Sequence, residues 1–170
     1  GEDIISLSTE GVKVRDLDAG GKMPTTFDGY QKIKPGRLLM CLFDMDVTPR
    51  CIGIIKDEGL TSPAYSQFVL RDIGYVPYYY YYYLSLDFDK TLVHLAKNLR
   101  HSLTEDQLGA ISVPVPPIEE QQEIAAFLDD KCSIIDSIIS EKANLILQLQ
   151  EYKKSIIFEY VTGKKEVPNG

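Results

Sequence analysis

The chain has 170 residues, enough for one domain with a proper core plus an appendage. Its 44% apolar and 25% charged residues are a globular balance, and no window approaches 18 uncharged apolar residues, so no membrane span is expected. A net charge of −7 argues against a generic basic nucleic-acid binder, and three cysteines (Cys41, Cys51, Cys132) at spacings matching no metal motif read as reduced thiols of a cytoplasmic protein.

The first residues lack a basic and then apolar run, so no signal peptide is expected, and Gly1 in place of Met leads us to expect a trimmed chain or a fragment of a longer one. Residues 1–75 read as strands and loops. Residues 4–7 are a short apolar run, and 11–15 alternate as a half-buried strand does. Residues 18–22 have turn composition, and Pro35-Gly36 makes a turn into residues 38–43. That run is apolar on both faces and predicts a central strand. Residues 44–50 form a polar loop, 51–55 a further strand, 56–59 a tight turn and 66–70 another strand.

Six consecutive tyrosines occupy positions 78–83. Propensity alone favours a strand there. Pro77 suits a helical first turn, and Leu84, Phe88, Leu92, Leu95 and Leu99 have helical spacing. We therefore expect helices over 78–86 and 89–99. Thr104-Glu105-Asp106-Gln107 is a capping box that predicts a short helix to residue 108. Pro114 and Pro116 hold 111–115 extended.

The last third predicts one long helix. Pro117 suits its first turn, and Glu119, Glu120 and Glu123 complement its positive dipole end. Leu128, Ile135, Lys142, Leu149 and Ile156 fall seven apart, with Ile138, Leu145 and Tyr152 between them. Ile124, Phe127, Ile134, Ile139, Ile146, Ile157 and Tyr160 widen the stripe. This is a coiled-coil seam with a polar break at Lys142, a device that can set register. About 42 residues of helix would span roughly 63 Å, with Gly163 as the left-handed stop. An amphipathic helix folded back on its own domain is the alternative, although such helices usually run about 8–20 residues. Residues 118–162 carry nine acidic and four basic side chains, so the acidic excess lies mainly here. The expected class is α+β: a β-rich domain with short helices over 1–117, then a coiled-coil-forming helix over 118–165.

No constellation for catalysis is visible. Gly-x-Gly-x-x-Gly, a phosphate loop and an Asn-Pro-Pro-aromatic methyltransferase motif are all absent from the sequence. Asp44-x-Asp46 lacks the further residues of a nuclease metal site, and His94 and His101, seven apart, are a poor ligand pair. Loops carry the candidates for DNA contact. Arg50, after Asp44 and Asp46, is either a preorganised guanine reader or half of a loop salt bridge. Lys22, Thr25 and Thr26 form a second polar loop, equally readable as a surface turn. Lys97, Arg100 and His101, with Lys90 nearby, are a phosphate-contact cluster or a solvated helix end. The tyrosines read mainly as packing, with base stacking the lesser reading.

Residues 111–124, Ile-Ser-Val-Pro-Val-Pro-Pro-Ile-Glu-Glu-Gln-Gln-Glu-Ile, with Val161-Thr162-Gly163-Lys164 at the far end, resemble the specificity subunits of type I restriction–modification systems. Tyr30 to Gly36 is similar to that family's Pro-Gly strand entry, and Ser62-Pro63-Ala64-Tyr65 to its Ser-x-x-Tyr turn. The resemblance implies a target recognition domain followed by a partner helix. Two such halves, from one chain, two chains or a homodimer, would pair through antiparallel helices and read two half-sites of double-stranded DNA. It implies no chemistry in this chain. A separate methyltransferase subunit and a restriction and motor subunit would do it, and S-adenosylmethionine, Mg and ATP would bind there. Without the resemblance, a coiled-coil dimerising or scaffold module with no DNA function remains the rival.

Overall fold

The computed structural model describes residues 3–16, 27–71, 74–96 and 98–168. Two compact units divide the chain, residues 1–125 and 126–170. In the first, β1 (Ile5–Ser8) and β2 (Gly11–Val14) pair as an antiparallel hairpin. Strand β3 (Gln31–Ile33) pairs antiparallel with β6 (Gly59–Thr61). The third sheet has the order β5-β4-β7, with β4 (Leu38–Cys41) between β5 (Ile52–Ile54) and β7 (Tyr65–Phe68). A parallel bridge between Ile4 and Leu60 joins the hairpin to the β3-β6 pair.

Strand β4 is central and buried throughout, as its unbroken apolar run predicts. Successive side chains point to opposite faces. Leu38 and Met40 enter a large core with Leu42, Met45, Cys51 and Ile52, while Leu39 enters a smaller one with Ile5, Ile33 and Ile55. The hairpin lies close over β5 at Gly53, where a β-carbon would stand 2.6 Å from a Val12 methyl. Strand β6 falls where the sequence predicts turn and loop. Three residues are too few to display a period, and Thr61 is buried because its hydroxyl donates to the Ile5 carbonyl at 2.7 Å.

The tyrosines are helical, in α1 (Val76–Phe88), with Pro77 in the first turn. Six in a row point all round the helix. Tyr78 and Tyr79 are buried in the large core and Tyr80 to Tyr83 are half-buried. The expected second helix over 89–99 does not form. Lys90 turns the chain through the left-handed region (φ 51°), and Thr91–Leu95 is a 3-10 stretch. Thr104 caps α2 (Glu105–Gly109) with the reciprocal Gln107 contact that the sequence predicts.

Helix α3 (Ile118–Val161) has 44 residues, roughly 66 Å at the usual rise. Its first turns belong to the first unit, where Gln121 and Ala125 are buried. The unit boundary thus lies two turns beyond the 117/118 division drawn from sequence. Gly163 (φ 73°) follows the helix, its N–H donating to the Tyr160 carbonyl at 3.3 Å. The chain is therefore α+β, with small sheets, short helices and one long C-terminal helix.

Candidate nucleic-acid interface

The loop between β4 and β5 is tied at both ends by residues distant in sequence. Asp44 takes a positive φ of 46°, a conformation Asp tolerates better than most residues. Its carbonyl accepts from the Val47 and Thr48 N–H groups at 3.2 and 3.0 Å and from the Thr48 hydroxyl at 2.8 Å, closing a compact turn. The outer side of this turn meets residues 98–102. The Asp44 N–H donates to the Arg100 carbonyl at 3.0 Å and the Met45 N–H to the His101 carbonyl at 3.3 Å. Below them the Leu103 N–H donates to the Leu42 carbonyl at 2.8 Å. His101 Nδ1 stands 3.0 Å from Asp46 Oδ2. Partial desolvation pushes the Asp46 carboxyl up. The hydrogen bond and charge of His101, with backbone donors, outweigh it and hold Asp46 below its usual value.

The 98–102 turn is itself organised by Asn98. Its side-chain oxygen accepts from the Arg100 and Ser102 N–H groups at 3.2 and 3.0 Å, and its amide donates to the Ser102 carbonyl at 2.7 Å. Arg100 is exposed on this turn and His101 is half-buried beside it.

The inner end of the 44–50 loop is held by the end of α1. Asp87 is only 5% exposed, and both of its side-chain oxygens are engaged. One carboxylate oxygen accepts the Cys51 N–H at 2.7 Å, and the other lies 2.7 Å from the Lys90 ammonium. Lys90 also donates to the Thr48 carbonyl at 2.7 Å. Burial, and then the Asp87 charge, push the Cys51 thiol up to about 12, so it stays protonated and unreactive at neutral pH.

Arg50 lies between these anchors. It is half-buried, with Nη1 3.8 Å from where a β-carbon on Gly11 would stand, at the start of β2. Among the described residues no carboxylate pairs with Arg50, and Asp46 pairs with His101 instead. Arg50 thus ends the loop whose first residues are bonded to the turn that carries Arg100 and His101. Lys22, Thr25, Thr26 and Lys97 lie outside the described residues. The tyrosine hydroxyls serve packing where their bonds are seen, as at Tyr79, which donates to the Pro114 carbonyl at 3.1 Å. Among the described residues no group of three or more His, Cys, Asp or Glu side chains is placed to hold a metal ion.

Sequence reasoning passed over Asp87 and Asn98. Asp87 sits at the polar end of a helix, where an acid reads as solvated. Only its burial marks it.

On α3, Ile135, Ile138, Leu145, Leu149 and Tyr152 are exposed, while Leu128 and Ile156 are half-buried. No helix among the described residues is long and apolar enough to cross a membrane.

The family model described as the type I restriction modification DNA specificity domain matches residues 54–158, more than half of the chain. The chain belongs to that family, and its role is DNA sequence specificity for a type I restriction–modification system. Arg100, His101 and the α3 seam from Leu128 to Ile156 fall inside the matched region, and Arg50 lies just before it. No curated protein matches the chain.

Proposed function

We propose that the chain reads one half of a bipartite DNA site, and that α3 carries the contacts which join it to the rest of a type I complex. The 44–50 and 98–102 loops form the reading edge. Arg50 contacts base edges, while Arg100 and His101 contact phosphate and set register. Lys22, Thr25, Thr26 and Lys97 belong to the same contact set by their chemistry. The observation that carries this reading is the bonding between the two loops. Cross-loop hydrogen bonds from Asp44 and Met45 and the His101–Asp46 pair hold the turn that carries Arg100 and His101 against the start of the loop that ends at Arg50.

Helix α3 supports the second half of the proposal. A 44-residue helix with Ile135, Ile138, Leu145, Leu149 and Tyr152 exposed leaves an apolar stripe in water, and burying such a stripe is what drives helix pairing. Its partners are a second specificity half, or a second copy in antiparallel pairing, and the methyltransferase subunit. The chain itself performs no chemistry. Adenine methylation falls to the methyltransferase with S-adenosylmethionine, and cleavage to the restriction and motor subunit with Mg and ATP. The net charge of −7 favours the rival reading, a coiled-coil scaffold without DNA function.

Co-expression with a type I methyltransferase subunit, followed by mapping of methylated adenines in the host genome, tests the proposal. Two short blocks around a fixed gap are the expected motif, and a symmetric motif identifies a homodimer. A stable complex that methylates no defined motif overturns the reading role. Failure to form the complex, with self-association retained, moves the assignment to the scaffold.

A further inference from the structure

We infer that the Asp87–Lys90 ion pair is the positioning device for Arg50, and hence a determinant of base preference at one position of the half-site. This rests on the proposed reading role of the 44–50 loop. Three successive backbone constraints converge on Arg50. The Thr48 carbonyl is fixed by the Lys90 ammonium at 2.7 Å. Pro49 has its φ locked by the ring. The Cys51 N–H is fixed by the Asp87 carboxylate at 2.7 Å. The backbone of Arg50 is therefore held on both sides, and its side chain leaves from a single geometry.

The anchors are built for rigidity. Asp87 is 5% exposed, and burying a carboxylate is costly unless it is paired and hydrogen-bonded. Here both oxygens are engaged, one by the backbone and one by Lys90. Lys90, which meets both acceptors, has a left-handed backbone at the end of α1, an unfavourable conformation for a lysine. An ion pair with one member buried is weak evidence for stability, but it does specify geometry, and the geometry it specifies is that of the residues flanking Arg50. An arginine that must meet two acceptors of a guanine in one plane loses discrimination when its backbone can wander.

The test compares Arg50→Ala, Lys90→Met, Asp87→Asn and the Arg50→Ala/Lys90→Met double variant in selections from a random-sequence duplex library, with folded fractions checked by circular dichroism. Arg50→Ala relaxes one position of the selected motif, about 5- to 150-fold in discrimination. Lys90→Met and Asp87→Asn relax that same position, and the double variant relaxes it no further than Arg50→Ala alone. Lys90→Arg, which keeps a donor for both acceptors, restores most of the preference. A merely structural pair predicts otherwise: the same motif, bound more weakly on all duplexes in proportion to the unfolded fraction. That result overturns the inference. Should Asp87→Asn not fold, Lys90→Met carries the test, since the Lys90 side chain is 31% exposed. An unchanged motif in Arg50→Ala overturns the Arg50 assignment and this inference together. A wild-type chain that selects no motif overturns the reading role itself.

Discussion

The Gln121 side-chain oxygen accepts the Tyr75 N–H at 2.9 Å, joining the first turns of α3 to the start of α1. The same amide donates to the Pro116 carbonyl at 2.9 Å, and Gln121 has no exposed surface. This gives the first glutamine of the Glu-Glu-Gln-Gln opening a physical job. Its neighbours on either side in the helix are exposed. Only a side chain with both a donor and an acceptor at that reach satisfies a carbonyl and an N–H together. Gln121→Ala should strand both groups and cost about 1–3 kcal/mol in chemical denaturation. Gln121→Glu should recover stability as pH falls and its carboxyl gains a proton to donate. Wild-type stability in Gln121→Ala would show that water replaces the amide at no cost.

Arg100 is exposed, so its loss should leave the fold intact within about 0.5 kcal/mol. If it contacts phosphate, Arg100→Glu weakens binding to every duplex and lowers the slope of log affinity against log salt by about 1. Filter binding over a salt series on cognate and random duplexes reads both. A slope equal to the wild type removes Arg100 from the phosphate contacts.

Leu145 lies midway along the α3 stripe and is 46% exposed in the single chain. Leu145→Asp should therefore leave the first unit's melting unchanged. In a paired seam the same carboxylate would be buried without a partner, so association should fall by at least an order of magnitude. Sedimentation equilibrium of the chain, alone and with a second specificity half, measures it. Undiminished pairing would place the contact on another face of α3.

The Asp46–His101 pair has a defined pH signature. Asp46 is held below its usual value, so its contribution is present above the unfolded carboxylate pKa of about 4 and is lost as pH falls through the lower folded value. His101→Ala removes the principal hydrogen bond that holds it down, and the Asp46 carboxyl should rise toward its ordinary value. Carboxyl-detected NMR titration of both proteins checks this. Identical Asp46 titrations would mean that the backbone donors alone set its value.

What was legible in the sequence was local. The run 38–43, apolar on both faces, identified the central strand. Thr104 and Gln107 identified the start of α2, and heptad spacing with Gly163 delimited α3. Each signal is a repeat or a short-range bond within a few residues, so no knowledge of the rest of the chain is needed to see it. The helix expected over 89–99 failed for a tertiary reason. Lys90 leaves the helical path with a left-handed backbone, and its ammonium bonds the distant Thr48 carbonyl, a contact that the apolar spacing of the residues after it does not reveal. Strand β6 likewise exists because β3 and Asp3 lie beside it, not because Gly59, Leu60 and Thr61 prefer to be extended.

The candidate site divides in the same way. Its cations were visible as residue types in loops. Their grouping was not, because Asp46 and His101, or Thr48 and Lys90, stand more than forty residues apart with no periodicity linking them. Composition and short-range pattern alone determined the class, the long helix and the character of the loops. The tertiary structure alone decided that two distant loops are bonded together and that a buried carboxylate holds the end of one of them, since desolvation and hydrogen-bond geometry arise only when the chain is folded.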